Sequence, residues 1–288
     1  MTQTIEQINS ELVAACNQLT SAVENKMDEI NASLGEMNSK ASAAILPLGN
    51  NKDTYYVDAV AGDDNNSGVN TLNPFKTLDH AIDIASAPEM RGKRISIYVE
   101  GGSDYHISRT HDIYYRDLYI SARQSYDRFN LYVEAKIDNE NFACYGVGLF
   151  QSLLGVANAN IYLPLFSDIN GHDGQLNHLN SGLIRTTNST RVLYVASCAI
   201  YSGDQPLIIP ADGDVTSIAL NSVTIGRRAG ATISPIVLKN NNPITLNLKN
   251  ISLNDGLLVK EGSLITGVKF QSGIPLNVKV NTTIAEAN

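Results

Sequence analysis

The sequence predicts a mainly β protein led by one long N-terminal helix. Three observations predict it. Apolar residues in the first forty or so positions recur at alternating three- and four-residue steps, the spacing of a helical stripe. From residue 94 onward, short β-branched and aromatic runs alternate with Gly, Asn, Asp and Pro clusters, the signature of strands and tight turns. Three hexapeptides also share one pattern: Val195–Ile200, Leu220–Ile225 and Leu248–Leu253, spaced 25 to 28 residues apart.

The helix comes first. Ile5, Ile8, Leu12, Ala15 and Leu19 form one run of the stripe, and Met27, Ile30, Leu34, Met37 and Ala41 form the next. Leu19 to Met27 spans eight residues instead of seven, with Val23 bridging the skip, which locally alters a supercoil. The intervening residues are mostly Gln, Asn, Ser, Glu and Lys. So narrow a stripe suits a coiled-coil seam better than a helix packed on a globular body. An isolated helix of this length is marginal in water, so partners are implied. A helix folded back on its own domain remains the alternative. Pro47 and Gly49-Asn50-Asn51 are expected to stop the helix. This gives a helical segment over 1–46, used for oligomerisation or attachment, and a linker over 47–54. The oligomer-interface candidates are Ile5, Ile8, Leu12, Leu19, Met27, Ile30, Leu34 and Met37.

Residues 55–90 read as a strand, a turn cluster and a short helix. Tyr55–Val60 is strand-like, and Gly62-Asp63-Asp64-Asn65-Asn66-Ser67-Gly68 is dense in turn formers. Pro74–Ala87 reads as a helix with Asn73 as its cap, Phe75, Leu78, Ala81, Ile82 and Ala85 on one face, and Pro88 ending it. Strand, loop and apolar-faced helix together make a plug, able to seal the open end of a stack of strands.

The body, 91–288, is expected to be all β. Its strand candidates are Arg94–Glu100, Leu118–Ala122, Leu131–Ile137, Asn160–Phe166, Arg191–Ala199, Ser217–Ile225, Ile244–Leu253 and Leu264–Phe270. Sandwich, barrel and solenoid all accommodate such strands. The 25-to-28-residue recurrence fits one coil of a parallel β-helix, with Val, Ile and Leu stacked inward and Asn, Ser and Lys facing out or forming ladders. In the first half of the body the repeat is loose.

Composition limits the function classes. The chain has 288 residues, 43% hydrophobic and only 17% charged, enough for a sizeable core under an unusually neutral surface. It holds 30 Asn, a residue that suits turns and in-register ladders. A net charge of −8 and a pI near 5.1 argue against nucleic acid and an anionic membrane as partners. Cys16, Cys144 and Cys198 are scattered, with no CxxC, so neither a disulfide framework nor a zinc site is expected. His172 and His178 share a polar loop, too few ligands for a metal. No cofactor is implied. The first ten residues lack the pattern of a signal peptide. Asn141–Ser167 carries no charge, but its Gly, Asn and Pro residues indicate buried turns and strands rather than a membrane span.

Candidate chemistry is sparse. Glycoside cleavage uses two carboxylates about 5 to 10 Å apart. Glu100 with Asp104 and Glu134 with Asp138 are candidate pairs, and stacked coils would let Glu100 meet Glu134. Chance pairing of acids at solvated turns explains the same residues, so whether the protein is an enzyme stays open. Tyrosine is more informative: 11 of 13 lie between Tyr55 and Tyr162. Tyr105, Tyr114, Tyr115, Tyr119 and Tyr126 are interleaved with Arg109, Arg116, Arg123 and Arg128. Tyr and Arg are favoured interface anchors. Tyr105, Tyr114, Tyr115, Arg116 and Tyr126 are therefore candidates for contact with a glycan or a protein, core filling being the alternative.

One stretch carries a family resemblance. Tyr56-Val57-Asp58, Gly62 through Gly68, Asn73-Pro74-Phe75-Lys76-Thr77-Leu78 and Ala81-Ile82 resemble the lead-in motif of right-handed parallel β-helices, as found in bacteriophage tailspikes and tail fibres and in some secreted polysaccharide-degrading enzymes. The structural residues of that motif here are Tyr56, Asp58, Gly62, Gly68, Pro74 and Phe75. With the heptad segment before it, the chain resembles a phage tail fibre or tailspike protein. The resemblance implies a right-handed single-stranded parallel β-helix, homotrimeric, with its N-terminal part on the virion tail. It implies other tail or baseplate proteins and a bacterial surface glycan as partners, assembly in the host cytoplasm, and cleavage of capsule or O-antigen in some members. Asp63 and Asp64 then belong to turn geometry rather than to calcium. Enzymatic members of that class are generally longer, whereas about 200 residues follow the motif here.

Overall fold

The computed structural model describes residues 4–49, 52–124, 126–138, 141–168, 182–186, 191–209, 216–231, 233–238, 244–272 and 274–285. The chain divides into two compact units, Met1–Asn51 and Lys52–Asn288.

The first unit is a single helix, α1 (Ile5–Gly49). Ile5, Leu12, Leu19, Met27 and Ile30 are all exposed, as are Val13 and Val23. The side chains of Ile8, Leu34 and Met37 lie outside the described set. Pro47 does not stop the helix as expected. A proline in the last turn forfeits one backbone hydrogen bond where the ladder is already ending, so the break falls at Gly49. The expected linker 47–54 is correspondingly short, because β1 (Lys52–Val57) begins inside it.

The second unit is mainly parallel β structure. After β1 come α2 (Leu78–Ser86) and the first coil: β2 (Arg94–Val99), β3 (Asp104–Ile107) and β4 (His111–Tyr114). The next coil holds β5 (Asp117–Ala122), β6 (Phe129–Val133), an antiparallel hairpin of β7 (Ala135–Asp138) and β8 (Asn141–Cys144), and β9 (Val147–Phe150). Then follow β10 (Leu153–Ala157), β11 (Ala159–Tyr162) and β12 (Ile184–Thr186), and after them β13 (Arg191–Ala196), β14 (Ala199–Ser202) and β15 (Ile208–Ile209). β16 (Thr216–Arg227) with β17 (Ile236–Val237) and β18 (Ile244–Leu253) with β19 (Ile265–Thr266) make two further coils. A two-strand hairpin, β20 (Phe270–Gln271) and β21 (Ile274–Pro275), precedes β22 (Val278–Val280).

These strands form three parallel ladders. The first runs β1-β2-β5-β10-β13, then the first halves of β16 and β18, then β22. The second runs β3-β6-β11-β14 and continues through the second halves of β16 and β18. The first two ladders are thus one large sheet, bent where β16 and β18 pass from one to the other. The third, β4-β9-β12-β15-β17-β19, is separate.

The core follows from register. A period of two sends alternate side chains inward, and parallel pairing keeps equivalent residues in line. Tyr55, Ile97, Ile120, Val156, Val195, Leu220 and Leu248 stack in one inward column. Tyr105, Leu131, Ile161, Ile200, Ile225 and Leu253 stack in a second. Asn141–Ser167, free of charge, contains β8 to β11, and no described helix is long and apolar enough to cross a membrane.

The bend has one conformational requirement. Asn158, Ser197, Ser222 and Asn250 each sit at the corner between the first two ladders with φ of 56°, 53°, 56° and 54°. The three recurring hexapeptides lie in register through this corner: Val195 pairs Leu220 and Leu220 pairs Leu248. The corner splits the expected strand Arg191–Ala199 into β13 and β14. Leu131–Ile137 divides at Glu134, and Leu264–Phe270 gives only β19 and the start of β20.

Candidate functional site

The plug is built around Phe75. Phe75 N donates to Tyr56 O at 2.9 Å, and Asp58 N donates to Phe75 O at 2.8 Å. Residues 73–76 therefore run beside β1 rather than opening a helix, and Val57 bridges Phe75 in parallel. Helix α2 starts four residues later than Pro74, with Thr77 as N-cap: its side chain accepts His80 N. The expected Asn73–Pro74 start loses to this backbone pairing.

Two glycines make room for Phe75, one for its ring and one for its backbone. Gly68 has φ of +67°, and a Cβ there would lie 2.2 Å from the Phe75 ring. A Cβ on Gly62 would lie 2.1 Å from Phe75 O. Tyr56 N donates to Gly68 O at 2.7 Å and Gly62 N to Asp58 O at 2.9 Å. The acids of the loop serve turns. Asp58 Oδ1 accepts Val60 N and Ala61 N, and Asp63 Oδ1 accepts Asn65 N, all at 2.9 Å. Asp64 Oδ1 accepts Lys76 N and Thr77 N at 2.9 Å, and Oδ2 accepts the Thr77 hydroxyl at 2.8 Å. Burial raises the Asp64 carboxyl, but those Thr77 and Lys76 bonds outweigh it and hold the pKa low.

A buried polar clamp holds α2 on the first coil. The His111 side chain is 0% exposed. Its Nε2 lies 2.7 Å from Asp79 Oδ1 and its Nδ1 2.8 Å from Asp83 Oδ1. Both contacts are hydrogen bonds only when both ring nitrogens carry protons, since carboxylates only accept. Asp79 Oδ2 also accepts Ser108 N at 3.0 Å, and Arg109 pairs with Asp83. Burial raises the Asp79 carboxyl, yet the bonds from His111 and Ser108 prevail and lower it. At the other end of α2, Arg116 donates to Ala85 O, Ala87 O and Tyr114 O.

The outer face of the second ladder carries the candidate binding site. Outward positions there form two rows. Asp104, Asn130 and Asn160 are joined by amide hydrogen bonds of 2.8 and 2.9 Å. Beside them His106, Tyr132, Tyr162 and Tyr201 stack face to face, with successive centroid distances of 5.3, 4.7 and 4.7 Å. His106, Tyr132 and Tyr162 of this row line a groove of about 350 Å³, which Glu134, Asp168 and Arg228 also line, within the range of small-ligand sites. Its charges are paired internally. His106 Nδ1 lies 3.0 Å from Glu134 Oε1, and Arg228 holds Asp168 with two bonds of 2.6 and 3.0 Å. Burial, then the neighbouring Tyr201, raises the Tyr162 hydroxyl pKa.

The structure separates several residues that the sequence grouped. Glu100 does not meet Glu134. Glu100 follows β2 in the first ladder, beside Arg123 at 3.2 Å, whereas Glu134 follows β6 in the second. Stacking aligns residues only within one ladder, so it does not bring this pair together as expected. Tyr105 is 2% exposed with its hydroxyl on Val57 O and Glu100 O, and Arg116 is 3% exposed. Neither is a surface contact; burial raises Tyr105 to about 12. Tyr114 stacks on Phe150 at 4.2 Å, while Tyr115 and Tyr126 are exposed. The Tyr132-Tyr162-Tyr201 stack was missed. Its signal was present as Asn130-Leu131-Tyr132, Asn160-Ile161-Tyr162 and Ala199-Ile200-Tyr201.

Cys16 is exposed and Cys198 buried, with burial raising the Cys198 thiol to about 11. His172, His178 and the Cys144 side chain lie outside the described residues. Among the described residues, no group of three or more His, Cys, Asp or Glu is placed to hold a metal ion. No protein-family model matches the chain, and no curated protein matches it.

Proposed function

We propose that this chain is a structural protein of the phage tail-fibre or tailspike class. In this reading the second unit is a right-handed single-stranded parallel β-helix, serving as a rigid shaft or adaptor in host-surface attachment. The helix α1 is a coiled coil that makes the protein a homotrimer and joins it to other tail or baseplate proteins. Its place is the virion tail.

The observation that carries the reading is the plug: the resembled motif folds around Phe75 and lies beside β1, the first strand of the first of three parallel ladders. The exposed stripe Ile5, Leu12, Leu19, Met27 and Ile30 supports self-association, because exposed apolar rows on a long helix are stable only when partnered. Host attachment draws on the aromatic groove, since ring edges and amide rows suit the mixed apolar and hydroxyl surface of sugars.

Light scattering tests the assembly. The full chain should weigh three times its 31.1 kDa, and a chain lacking residues 1–46 should weigh less. Cys16 is a native reporter: in parallel, in-register helices a short bis-maleimide should cross-link it. A monomeric full-length chain would sink the coiled coil and the class together.

A second reading, a small capsule or O-antigen depolymerase, draws on the groove, where Glu134 and Asp168 line one cavity. Release of reducing ends or lyase absorbance from host polysaccharide would support it. Loss of that release in Glu134→Gln would locate it.

A further inference from the structure

The aromatic row of the second ladder ends at a gap. Tyr132, Tyr162 and Tyr201 stack at 4.7 Å with ring planes within 11° of parallel, the spacing of the strands that carry them. The next position in register is Gly226, so no side chain stands where a further ring would. Tyr201 is half-buried, and among the described residues Tyr162 is the one ring stacked on it. A Cβ placed on Gly226 would lie 2.6 Å from Asp255 Oδ2. The carboxylate therefore sits at the root of the missing side chain, beside the gap. Asp255 follows β18 with φ of 54°, and its Oδ2 accepts Arg227 N at 2.9 Å, which holds it in place. Asp255 is exposed, and no Lys or Arg side chain among the described residues pairs with it. Arg228, two residues past Gly226, is turned away onto Leu163 O and Asp168.

We propose that this gap takes the guanidinium of an arginine on a partner protein. One face of the guanidinium stacks on Tyr201, and its edge meets the Asp255 carboxylate. A guanidinium is planar and cationic, stacks on aromatic faces and bonds a carboxylate in its own plane. Those are the two surfaces on offer here, a ring face and a carboxylate at its side. A lysine ammonium would satisfy the carboxylate but leave most of the ring uncovered. A neutral ring would cover Tyr201 but leave the carboxylate without a donor. The protein already makes such a contact internally. In the first ladder Gly155 follows Tyr119 in register, and Tyr119 carries the Arg94 guanidinium 4.4 Å from its ring centroid. There the ring leans onto the glycine, with Tyr119 Cδ1 2.5 Å from the position of a Cβ on Gly155. At Gly226 the three nearest atoms belong to Asp255 and Asn254 instead, because Tyr201 is held upright in its stack by Tyr162. Its outer face is left for a guanidinium from outside. The net charge of −8 favours the approach of a cationic partner. The site uses the second ladder alone, so it stands or falls independently of α1, of the groove and of the class proposed above.

An NMR titration of the full chain with Nα-acetyl-arginine amide tests this. The Tyr201 ring and the Gly226 and Arg227 amides should shift together. The lysine analogue has the same charge and should bind about fivefold more weakly. Asp255→Asn keeps an oxygen for Arg227 N and should weaken the arginine probe about tenfold. Tyr201→Phe keeps the ring and should bind as the wild type does, whereas Tyr201→Leu should weaken binding about fivefold. Unchanged hydrogen exchange at Arg227 N in Asp255→Asn would show that the loop is intact. Free arginine, with its own α-carboxylate, should bind no better than the capped probe. Equal binding of the lysine probe, binding that survives Asp255→Asn, shifts that spare Tyr201, or a preference for free arginine would each overturn the proposal. The comparison of probes needs only the wild-type chain, so a variant that fails to fold does not hide the answer.

Discussion

Phe75→Ala is the most direct test of the plug. The ring is 2% exposed and touches Tyr55 at a centroid distance of 5.8 Å and His80 at 4.8 Å. A buried aromatic side chain covers roughly 150 Å² or more, which at about 25 cal/mol per Å² is about 4 kcal/mol. Measured Phe→Ala truncations fall at about 3–5 kcal/mol. The two ring contacts are part of that figure rather than an addition to it. In stacked-coil proteins each coil contacts only its neighbours, so the loss should appear locally, as release of β1 and α2 before the later coils. The assay is hydrogen exchange at Tyr56 and Asp58, whose amides bond Gly68 O and Phe75 O, alongside urea denaturation. Both amides should lose protection by two or more orders of magnitude. Phe75→Leu keeps most of the volume and should cost about 1.5 kcal/mol or less. Unchanged protection in Phe75→Ala would mean that the ring is a passenger and the plug rests on its backbone bonds alone.

Four other outcomes are expected. Gly68→Ala should destabilise the same amides by more than the ~1 kcal/mol of a left-handed alanine, because its Cβ meets the ring. Gly102→Ala, at φ +72° with nothing within 4 Å, should cost only that conformational term in a denaturation series. Acid should loosen α2: Asp79 is held below its unfolded pKa, so its stabilisation is present above the unfolded value and is lost as pH falls through the lower folded one. Asp79→Asn should flatten that acid limb of a stability–pH profile. Ser222→Asn should raise the denaturation midpoint slightly, since Asn occupies left-handed corners more readily than Ser, and a lower midpoint would refute the corner account.

How much of this was legible depended on which period the residues had to satisfy. The coils from β13 onward were readable because Val195, Leu220 and Leu248 recur at similar spacing and keep one register through the same positive-φ corner. The earlier coils were not, because the β7–β8 hairpin and the stretch between β11 and β12 lengthen the connections without disturbing the ladders they join. Most of the third ladder, β19 apart, was invisible for a different reason. From β12 onward its strands are two or three residues long, shorter than any alternation pattern. They are held by stacking Ile184, Ile208, Ile236 and Ile265 in one column.

The candidate groove shows why sequence proximity misled. The Tyr and Arg residues from 105 to 128 are dense in sequence but divide among three ladders, so Tyr105 and Arg116 fall inside while Tyr115 and Tyr126 fall outside. Surface continuity in a stacked-coil fold runs across coils at fixed register, one residue per coil. His106, Tyr132, Tyr162 and Tyr201 are 26, 30 and 39 residues apart, yet they make one stacked row, because register sets position within a ladder whatever the length of the connections. The row ends for the same reason: Tyr201 pairs with Gly226, which adds no ring to it. Tyr162, flanked by a ring on each face, is therefore the position on which the row depends. Tyr162→Ala should break the row at two contacts of about 0.5–1.5 kcal/mol each, and any saccharide binding by the groove should fall with it. Tyr126→Ala, on an exposed ring elsewhere, should leave such binding unchanged. If Tyr126 matters and Tyr162 does not, the binding surface lies on the exposed loops and not on the second ladder.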